Sequence, residues 1–301
     1  MISAMRSPWL MLVLVACGDS NSRKAQDPEP PAGSGSATVA VAAFKPSCSD
    51  KHAPKPERDP SSMCLVPAAE FMMGTPVDPD RPEDGPARRV RISKPFYLDQ
   101  LEVTNTQYAR FLRAGGEGCG KPERYCFAGD QPDGVDVSKA EFPVPASEEM
   151  LPARVTVHGA EAYCAWAGKR LPTSAEWELA ARHDPATGED RRFPWGNEYR
   201  HGVTNAFEAI EPKRGRLAPV GTFPDDRSPV GVLDMGGNES EWVADCYSLD
   251  VSCASPCVDP KPTKCDKVCI ELDRPSECEP GRVLRGGRVT SKPMFLASKA
   301  T

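Results

Sequence analysis

Apolar and polar residues alternate in short stretches after residue 69, with the period of two that is typical of half-buried β-strands. The alternation is clearest at residues 89–92. Residues 70–74, 96–98 and 101–103 have the same strand-like composition, and turns rich in proline and aspartate separate the stretches. The pattern therefore predicts a set of short strands in this part of the chain.

Three stretches instead place their apolar residues on one face of a helix. The first begins with the capping-box residues Thr104 and Gln107, whose side chains can satisfy the free backbone groups of a helix start. The second covers about residues 159–167, and the third begins with another capping box, Thr173 and Glu176. Helices and strands are thus both predicted in one region of the chain.

The composition favours a loop-rich protein rather than a helical bundle. The 301 residues include 32 prolines and 24 glycines, whereas aromatic residues make up 7%. This length suits one domain of about 200 to 250 residues with extensions, or two small domains. The formal net charge is only −6, so neither sign dominates and nucleic acid is not expected as a partner.

The N-terminus predicts export. Residues 1–16 contain one positive side chain, Arg6, followed by an apolar run at residues 9–16 that is too short to span a bilayer. The run ends in Leu14-Val15-Ala16-Cys17, which resembles a bacterial lipobox. This resemblance implies cleavage before Cys17 and lipidation of its sulfur and its new amino group. The alternative is a plain secretory signal with an accidental cysteine.

Residues 17–58 are interpreted as the lipidated Cys17 and a flexible linker, because the segment is rich in serine, proline, glycine and alanine. Acyl chains would tether the protein to a membrane. The expected location is the bacterial cell envelope, on a periplasmic or outer surface.

The other eleven cysteines agree with export, because an oxidising compartment favours disulfides. Cys48 and Cys64 are predicted to close one loop, and Cys119 and Cys126 another. The odd number leaves one cysteine over, and Cys164 in the second predicted helix is the natural candidate for it.

Six cysteines lie within residues 246–278. The spacings Cys253-x3-Cys257 and Cys265-x3-Cys269 could hold zinc, but they are one residue wider than the usual zinc knuckle and no histidine lies among them. Disulfides are therefore favoured over a zinc site in this insertion.

Residues 233–247 concentrate acidic and amide side chains around the pair Gly236-Gly237. Two adjacent glycines allow a sharp turn, and carboxylates just beyond it can converge on a hard cation such as calcium. The alternative is a solvated acidic turn that precedes a buried Trp242.

Seven motifs, taken in order, resemble the formylglycine-generating enzyme (sulfatase-modifying factor) family. The resemblance covers about residues 69–287, and its motifs are residues 71–75, 86–90, 96–105, 162–178, 193–196, 237–242 and 285–287. It implies a single α+β domain of the C-type-lectin-like kind, rich in irregular structure. The chain then divides into a lipoprotein signal peptide (1–16), a linker (17–58) and this domain (59–301), with the cysteine-rich insertion at 246–278.

The resemblance also implies a structural calcium ion. Its ligands would be two carboxylates and two backbone carbonyls, those of Asp234, Glu241, Gly237 and Glu239. A second family calcium site begins near Asn205, but no carboxylate matches its second half in the sequence that follows.

True family members oxidise a sulfatase cysteine to formylglycine with copper(I), dioxygen and a reductant, and two thiolates bind the copper. Here Ser291 and Leu296 stand at the positions of those cysteines. Serine is a hard ligand and leucine is none, so copper is not expected as a cofactor and no catalytic residue is assigned.

Two functions remain open from the sequence. The first is a lipid-anchored envelope protein whose domain binds a protein or small molecule, or has a structural role, without copper oxidase activity. The second is an oxidoreductase that forms formylglycine with copper and dioxygen, using thiols recruited from residues 246–278.

Overall fold

The computed structural model describes residues 17–19, 46, 48, 57–74, 87–116, 135–136, 139, 141–206, 216–248, 253–262, 264–269 and 278–287. Ser291, Leu296 and the predicted pair of Cys119 and Cys126 lie outside these residues. Within the described ranges, no helix combines the length and the apolar character that crossing a membrane requires.

Three helices and thirteen short strands occur in the described residues. The helices are α1 (Asn105–Arg113), α2 (Val157–Trp166) and α3 (Ser174–Arg182). The strands are β1 (Gly18–Asp19), β2 (Met63–Val66), β3 (Ala69–Met73), β4 (Arg88–Ile92), β5 (Phe96–Asp99), β6 (Lys169–Arg170), β7 (His183–Asp184), β8 (Glu189–Asp190), β9 (Glu241–Cys246), β10 (Cys257–Val258), β11 (Lys267–Cys269), β12 (Cys278–Pro280) and β13 (Arg282–Arg285). The fold is therefore α+β with much irregular structure, as predicted.

The strands form one four-stranded sheet, one three-stranded sheet and three two-stranded pairs. The four-stranded sheet has the order β2-β5-β1-β6, and the three-stranded sheet has the order β10-β4-β3. Strand β10 runs parallel to β4, with Cys257 beside Val90. Strands β13 and β9 pair antiparallel, with Leu284 beside Trp242. This last pair holds residues 282–285 next to the acidic stretch.

Both predicted capping boxes form, at Thr104 with Gln107 and at Thr173 with Glu176. In each, the threonine side chain accepts a hydrogen bond from the third helical N–H, and the side chain of that third residue accepts one from the threonine N–H. Local sequence alone therefore fixes the starts of α1 and α3.

Two other predicted boundaries differ from the structure. Helix α2 begins at Val157 rather than near residue 159, because the Thr156 side chain caps the helix there. Residues 101–103 form no strand. The carbonyl of Val103 instead accepts a hydrogen bond from the N–H of Ala153, which belongs to an irregular segment.

Two groups of buried apolar side chains make up most of the core. In the first, α1 and α2 pack aromatic rings together, with the ring centroids of Phe111 and Tyr163 5.8 Å apart. In the second, α3 packs the fully buried Trp177 among the apolar side chains of β3, β4 and β5. The acidic stretch contributes Met235 to this second group.

Four disulfides join the described cysteines: Cys17–Cys164, Cys48–Cys64, Cys246–Cys265 and Cys253–Cys257. The predicted Cys48–Cys64 bridge is confirmed. In the insertion, these disulfides occupy the sulfurs that a zinc site would need, so the preference for disulfides over zinc is confirmed for the described cysteines.

The bond between Cys17 and Cys164 corrects the prediction that Cys164 is left over. The same bond engages the sulfur that the predicted lipidation of Cys17 would use. Moreover, β1 lies between β5 and β6 in the four-stranded sheet. Part of the predicted linker 17–58 therefore belongs to the folded domain, which begins before residue 59.

Replacing Thr173 by alanine should lower the free energy of unfolding by about 1 kcal/mol, because the N–H of Glu176 loses its acceptor. Thr173→Ser keeps the hydroxyl and should cost much less. Urea unfolding of the oxidised protein, followed by circular dichroism, measures both variants. Equal losses in the two would contradict the capping role.

Candidate functional site

The acidic loop, residues 234–241, packs tightly against the segment that contains Thr204 and Asn205. The N–H of Asn238 donates to the carbonyl of Asn205 over 2.9 Å. A Cβ at Gly237 would lie 2.2 Å from the Thr204 Oγ1 atom and 2.8 Å from the Asn205 carbonyl oxygen. Only glycine fits this close approach, so the second glycine of the pair fixes the path of the loop.

Five carboxylates come together around this loop, and all of them are buried. Their exposed fractions are 1% for Glu102, 0% for Asp226, 2% for Asp234, 1% for Glu239 and 1% for Glu241. The alternative of a solvated acidic turn is therefore wrong. Sequence reasoning missed Glu102, although it lies within one of the family motifs, and also Asp226, for which the sequence carries no local signal.

The carboxylates differ in how their charge is balanced. Glu239 pairs with Arg154, whose Nε lies 2.9 Å from Glu239 Oε2. The carboxylate of Glu102 instead accepts from the neutral side-chain amide of Asn238 over 2.7 Å. Asp234 accepts from the backbone N–H of Gly221 over 2.6 Å. Because these donors are neutral, they do not balance the negative charges of Glu102 and Asp234.

The remaining two carboxylates also receive neutral donors. Asp226 accepts hydrogen bonds from the Thr204 hydroxyl and from the backbone N–H of Gly236. The Trp177 indole N–H donates to Glu241 Oε2. The other carboxylate oxygen, Glu241 Oε1, is buried without a hydrogen-bond partner in the described part of the chain. A buried acceptor of this kind is costly unless a cation or a donor reaches it.

The pKa values of four of these carboxyl groups are raised, because their negative charges are buried and not balanced by a cation. Burial, together with repulsion from Asp234 and Glu241, raises the pKa of Glu102 well above its usual range. Burial also raises the pKa of Asp226 to about 8, of Asp234 to about 6 and of Glu241 to about 8. Each shift means that the ionised form is disfavoured in the folded protein. A divalent cation bound beside these groups would lower their pKa values, since it favours the ionised carboxylates.

The residues of the predicted calcium site fit such an ion. Calcium takes six to eight oxygen ligands from carboxylates, backbone carbonyls and water. Asp234 and Glu241 supply buried carboxylates, and the unpartnered Glu241 Oε1 is one oxygen available to the ion. The His, Cys, Asp and Glu side chains of the described residues form no preassembled group of three. A calcium ion at this place would therefore also need backbone oxygens, which the prediction assigns to the carbonyls of Gly237 and Glu239.

Asn205, predicted as the start of a second calcium site, is buried and hydrogen-bonded to the acidic loop. Its side-chain amide donates to Asn238 Oδ1 over 2.9 Å and to the carbonyl of Arg216 over 3.0 Å. These bonds join the acidic loop to two neighbouring segments. Residues 207–215, which include most of the other half of that predicted site, lie outside the described residues.

The end of β13 lies directly against the acidic loop. A Cβ at Gly286, whose φ is 78°, would lie 3.0 Å from the Met235 carbonyl oxygen. Beside it, the buried Arg285 pairs with Glu178 over 3.0 Å and donates to the hydroxyl of Ser174. Arg285 thus anchors the strand to α3. The positions of Ser291 and Leu296 follow this strand end and lie outside the described residues.

Residues 49–301 match the family described as "Sulfatase-modifying factor enzyme 1-like domain". The chain is 35% identical over 235 residues to the formylglycine-generating enzyme of Thermomonospora curvata, which covers 65% of this chain and 75% of that protein. It is 32% identical over 226 residues to the inactive C-alpha-formylglycine-generating enzyme 2 of Mus musculus, covering 63% of this chain and 70% of that protein.

Among solved structures, PvdO from Pseudomonas aeruginosa is similar with a TM-score of 0.54 and 26% sequence identity. The similarity covers 80% of this chain and 90% of that chain. The family match and the structural similarity therefore each cover most of this chain.

When a chelator removes calcium, the free energy of unfolding should fall as the pH rises from about 5 to 8. The folded-state pKa of Asp226 is about 8, whereas an unfolded aspartate titrates near 4. A group with a raised folded pKa contributes stability that is complete below the unfolded pKa and is lost as the pH rises through the folded pKa. Urea unfolding at a series of pH values measures this loss.

Asp226→Asn removes this ionisable group and should reduce the slope of that pH dependence by up to about 1.4 kcal/mol per pH unit. Asp225→Asn, at the exposed neighbouring residue, is the matched control and should leave the slope unchanged. If both variants keep the wild-type slope, the buried Asp226 carboxyl is not the group that titrates.

Proposed function

The chain belongs to the family of sulfatase-modifying factor enzyme 1-like domains, and we propose that it uses this domain for binding or structural support and not for copper-dependent oxidation. The observation that carries the proposal is the absence of a pair of thiols where copper could bind. By the register of the resemblance, Ser291 and Leu296 stand at the positions of the family's two cysteines. Copper(I) prefers soft thiolate ligands, which neither residue supplies.

The alternative function needs thiols from the cysteine-rich insertion. Cys246 and Cys265 bind each other, as do Cys253 and Cys257. Every cysteine whose side chain the structure describes is in a disulfide, and a disulfide sulfur is not a thiolate ligand. This arrangement supports the non-oxidase function over the oxidoreductase.

The similarity to the inactive mouse protein supports the same proposal. Within the described part of this chain, the buried Trp177, the Arg285–Glu178 pair and the acidic loop connect α3, β13 and β9.

In the proposed state, the acidic loop binds a structural calcium ion. Asp234 and Glu241 contribute carboxylates, Gly237 and Glu239 contribute backbone carbonyls, and Glu241 Oε1 gains the partner that it lacks. Calcium would keep these carboxyls ionised and would join the loop to β9. Its role here is to stabilise the domain that presents a binding surface.

The proposed setting is the cell envelope, outside the cytoplasm. Four disulfides in the described residues support it, because such bonds form and persist in oxidising compartments. The proposed partner is a protein or a small molecule.

Purified protein, given copper, dioxygen, a reductant and a Cys-x-Pro-x-Arg peptide, should leave the peptide thiol unchanged. The formylglycine-generating enzyme of Thermomonospora curvata serves as the positive control in the same assay. The reductant is kept at a level that leaves the disulfides intact, as checked by thiol titration. Aldehyde formation by this chain, detected by mass spectrometry, would show that the protein is an oxidase.

Chelation of calcium should lower the melting temperature of the wild-type protein, because the buried carboxylates then lose their counter-charge. Asp234→Ala should abolish this difference between calcium and chelator, whereas Asp225→Ala should retain it. Differential scanning calorimetry measures all three proteins. A wild-type melting temperature that does not respond to chelation would rule out the calcium site.

A further inference from the structure

A second cluster of buried charges lies at the N-terminal strand, far from the acidic loop in sequence. It contains the side chains of Asp59, Asp99 and Lys169, of which 1%, 1% and 4% are exposed. The backbone nitrogen of Cys17, a residue with 0% exposure, completes it. The proposed binding role of the domain makes no use of this cluster.

The cluster is tightly connected. Lys169 Nζ donates to Asp59 Oδ2 over 2.8 Å and to the two Asp99 oxygens over 2.7 and 2.9 Å. The Tyr163 hydroxyl donates to Asp59 Oδ2 over 3.0 Å. The nitrogen of Cys17 donates to Asp99 Oδ2 over 3.1 Å. All polar atoms named here therefore have partners.

The charges of this cluster do not balance. Two carboxylates face one ammonium group, so one negative charge is left over in a region without solvent. Burial raises the pKa of Asp99 to about 6, and repulsion from Asp59 adds to the rise although Lys169 opposes it. One more positive charge next to Asp99 would balance the cluster.

Three kinds of contact fix the position of Cys17 beside Asp99. Its carbonyl accepts a hydrogen bond from the N–H of Asp99 over 3.0 Å, and its sulfur is bonded to Cys164. The next residue, Gly18, pairs with Leu98 of β5 and with Arg170 of β6. The nitrogen of Cys17 is thus directed at Asp99 by covalent and sheet contacts.

Acylation of Cys17 is incompatible with this arrangement. A lipidated cysteine carries a diacylglyceryl group on its sulfur and an acyl group on its nitrogen, and here both atoms belong to a residue with 0% exposure. The acyl chains would have to displace β1 from the centre of its sheet and break the bond to Cys164.

We propose that the mature chain begins at Cys17 with a free α-ammonium group, which pairs with Asp99 inside the domain. Hydrolysis of the Ala16–Cys17 peptide bond leaves a carboxylate on Ala16 and an ammonium on Cys17. The cluster then holds two carboxylates and two ammonium groups. Before cleavage, the Cys17 nitrogen is a neutral amide that donates to Asp99. After cleavage, the same nitrogen carries the positive charge that the cluster lacks.

The thiol of Cys17 is used in the same maturation. The Cys17 and Cys164 thiols lose two protons and two electrons to a disulfide-carrying oxidase of the exporting compartment, which is reduced to its dithiol. One disulfide results, and no thiol is left for a lipid. In this proposal, cleavage frees the nitrogen of Cys17 and oxidation joins its sulfur to Cys164.

Mass spectrometry of the full chain, expressed with its own leader in an exporting bacterium, tests the proposal. A non-reducing tryptic digest of the mature protein should contain residues 17–23 linked to residues 155–169, with an unblocked α-amine on Cys17. A diacylglyceryl group on Cys17, an acylated α-amine, a different first residue or a free thiol at Cys164 would each overturn it. None of these results bears on copper oxidation, which the peptide assay tests separately.

The ammonium itself is tested by adding one alanine before Cys17, which turns its nitrogen into a neutral amide. The addition should raise the unfolding equilibrium constant at pH 7 at least roughly tenfold, because a buried charge pair loses one partner. In an Asp99→Asn background the same addition should change it less than about threefold. Equal effects in the two backgrounds would overturn the pairing.

Amine labelling gives a measurement that needs no variant. In the native protein, the α-amine of Cys17 should resist an acylating reagent that modifies exposed lysines, and it should react once urea unfolds the chain. Rapid labelling of this amine in the native protein would overturn the proposal.

Discussion

The hydrogen bond from the Trp177 indole to the Glu241 carboxylate connects the hydrophobic core to the acidic loop. Trp177, which belongs to α3, is the largest fully buried side chain among the residues that the structure describes. Because its N–H is buried, it needs an acceptor, and Glu241 at the start of β9 supplies one. The bond fixes which carboxylate oxygen faces the core and which remains available. The orientation of the candidate cation site therefore depends on the packing of one aromatic residue.

Much of the fold could be predicted from local sequence signals. The capping boxes at Thr104 and Thr173 place two helices, because a cap depends only on residues three apart. The ordered motifs identify the domain, and the Gly236-Gly237 pair locates the acidic loop. The short Cys48–Cys64 bridge, whose ends are 16 positions apart in the sequence, could also be predicted.

The missed features all depend on contacts between distant parts of the chain. The Cys17–Cys164 bond spans 147 residues, and the seventeenth residue carries no local sign that it enters a sheet. Glu102 and Asp226 approach the acidic loop only in the folded protein, so their burial could not be inferred from neighbouring residues. Conversely, residues 101–103 have the composition of a strand but pair with an irregular segment. Local preference is overridden there by tertiary contacts.

The cysteine-rich insertion also affects how the folded molecule meets its neighbours. Strand β10, which the insertion supplies, covers one side of β4, and on the other side of the sheet Asp190 accepts a hydrogen bond from the N–H of Met72 in β3. Exposed strand edges are templates for pairing between molecules, which leads to aggregation. By pairing with β4, strand β10 of the insertion removes one such template from the surface of the described part of the molecule.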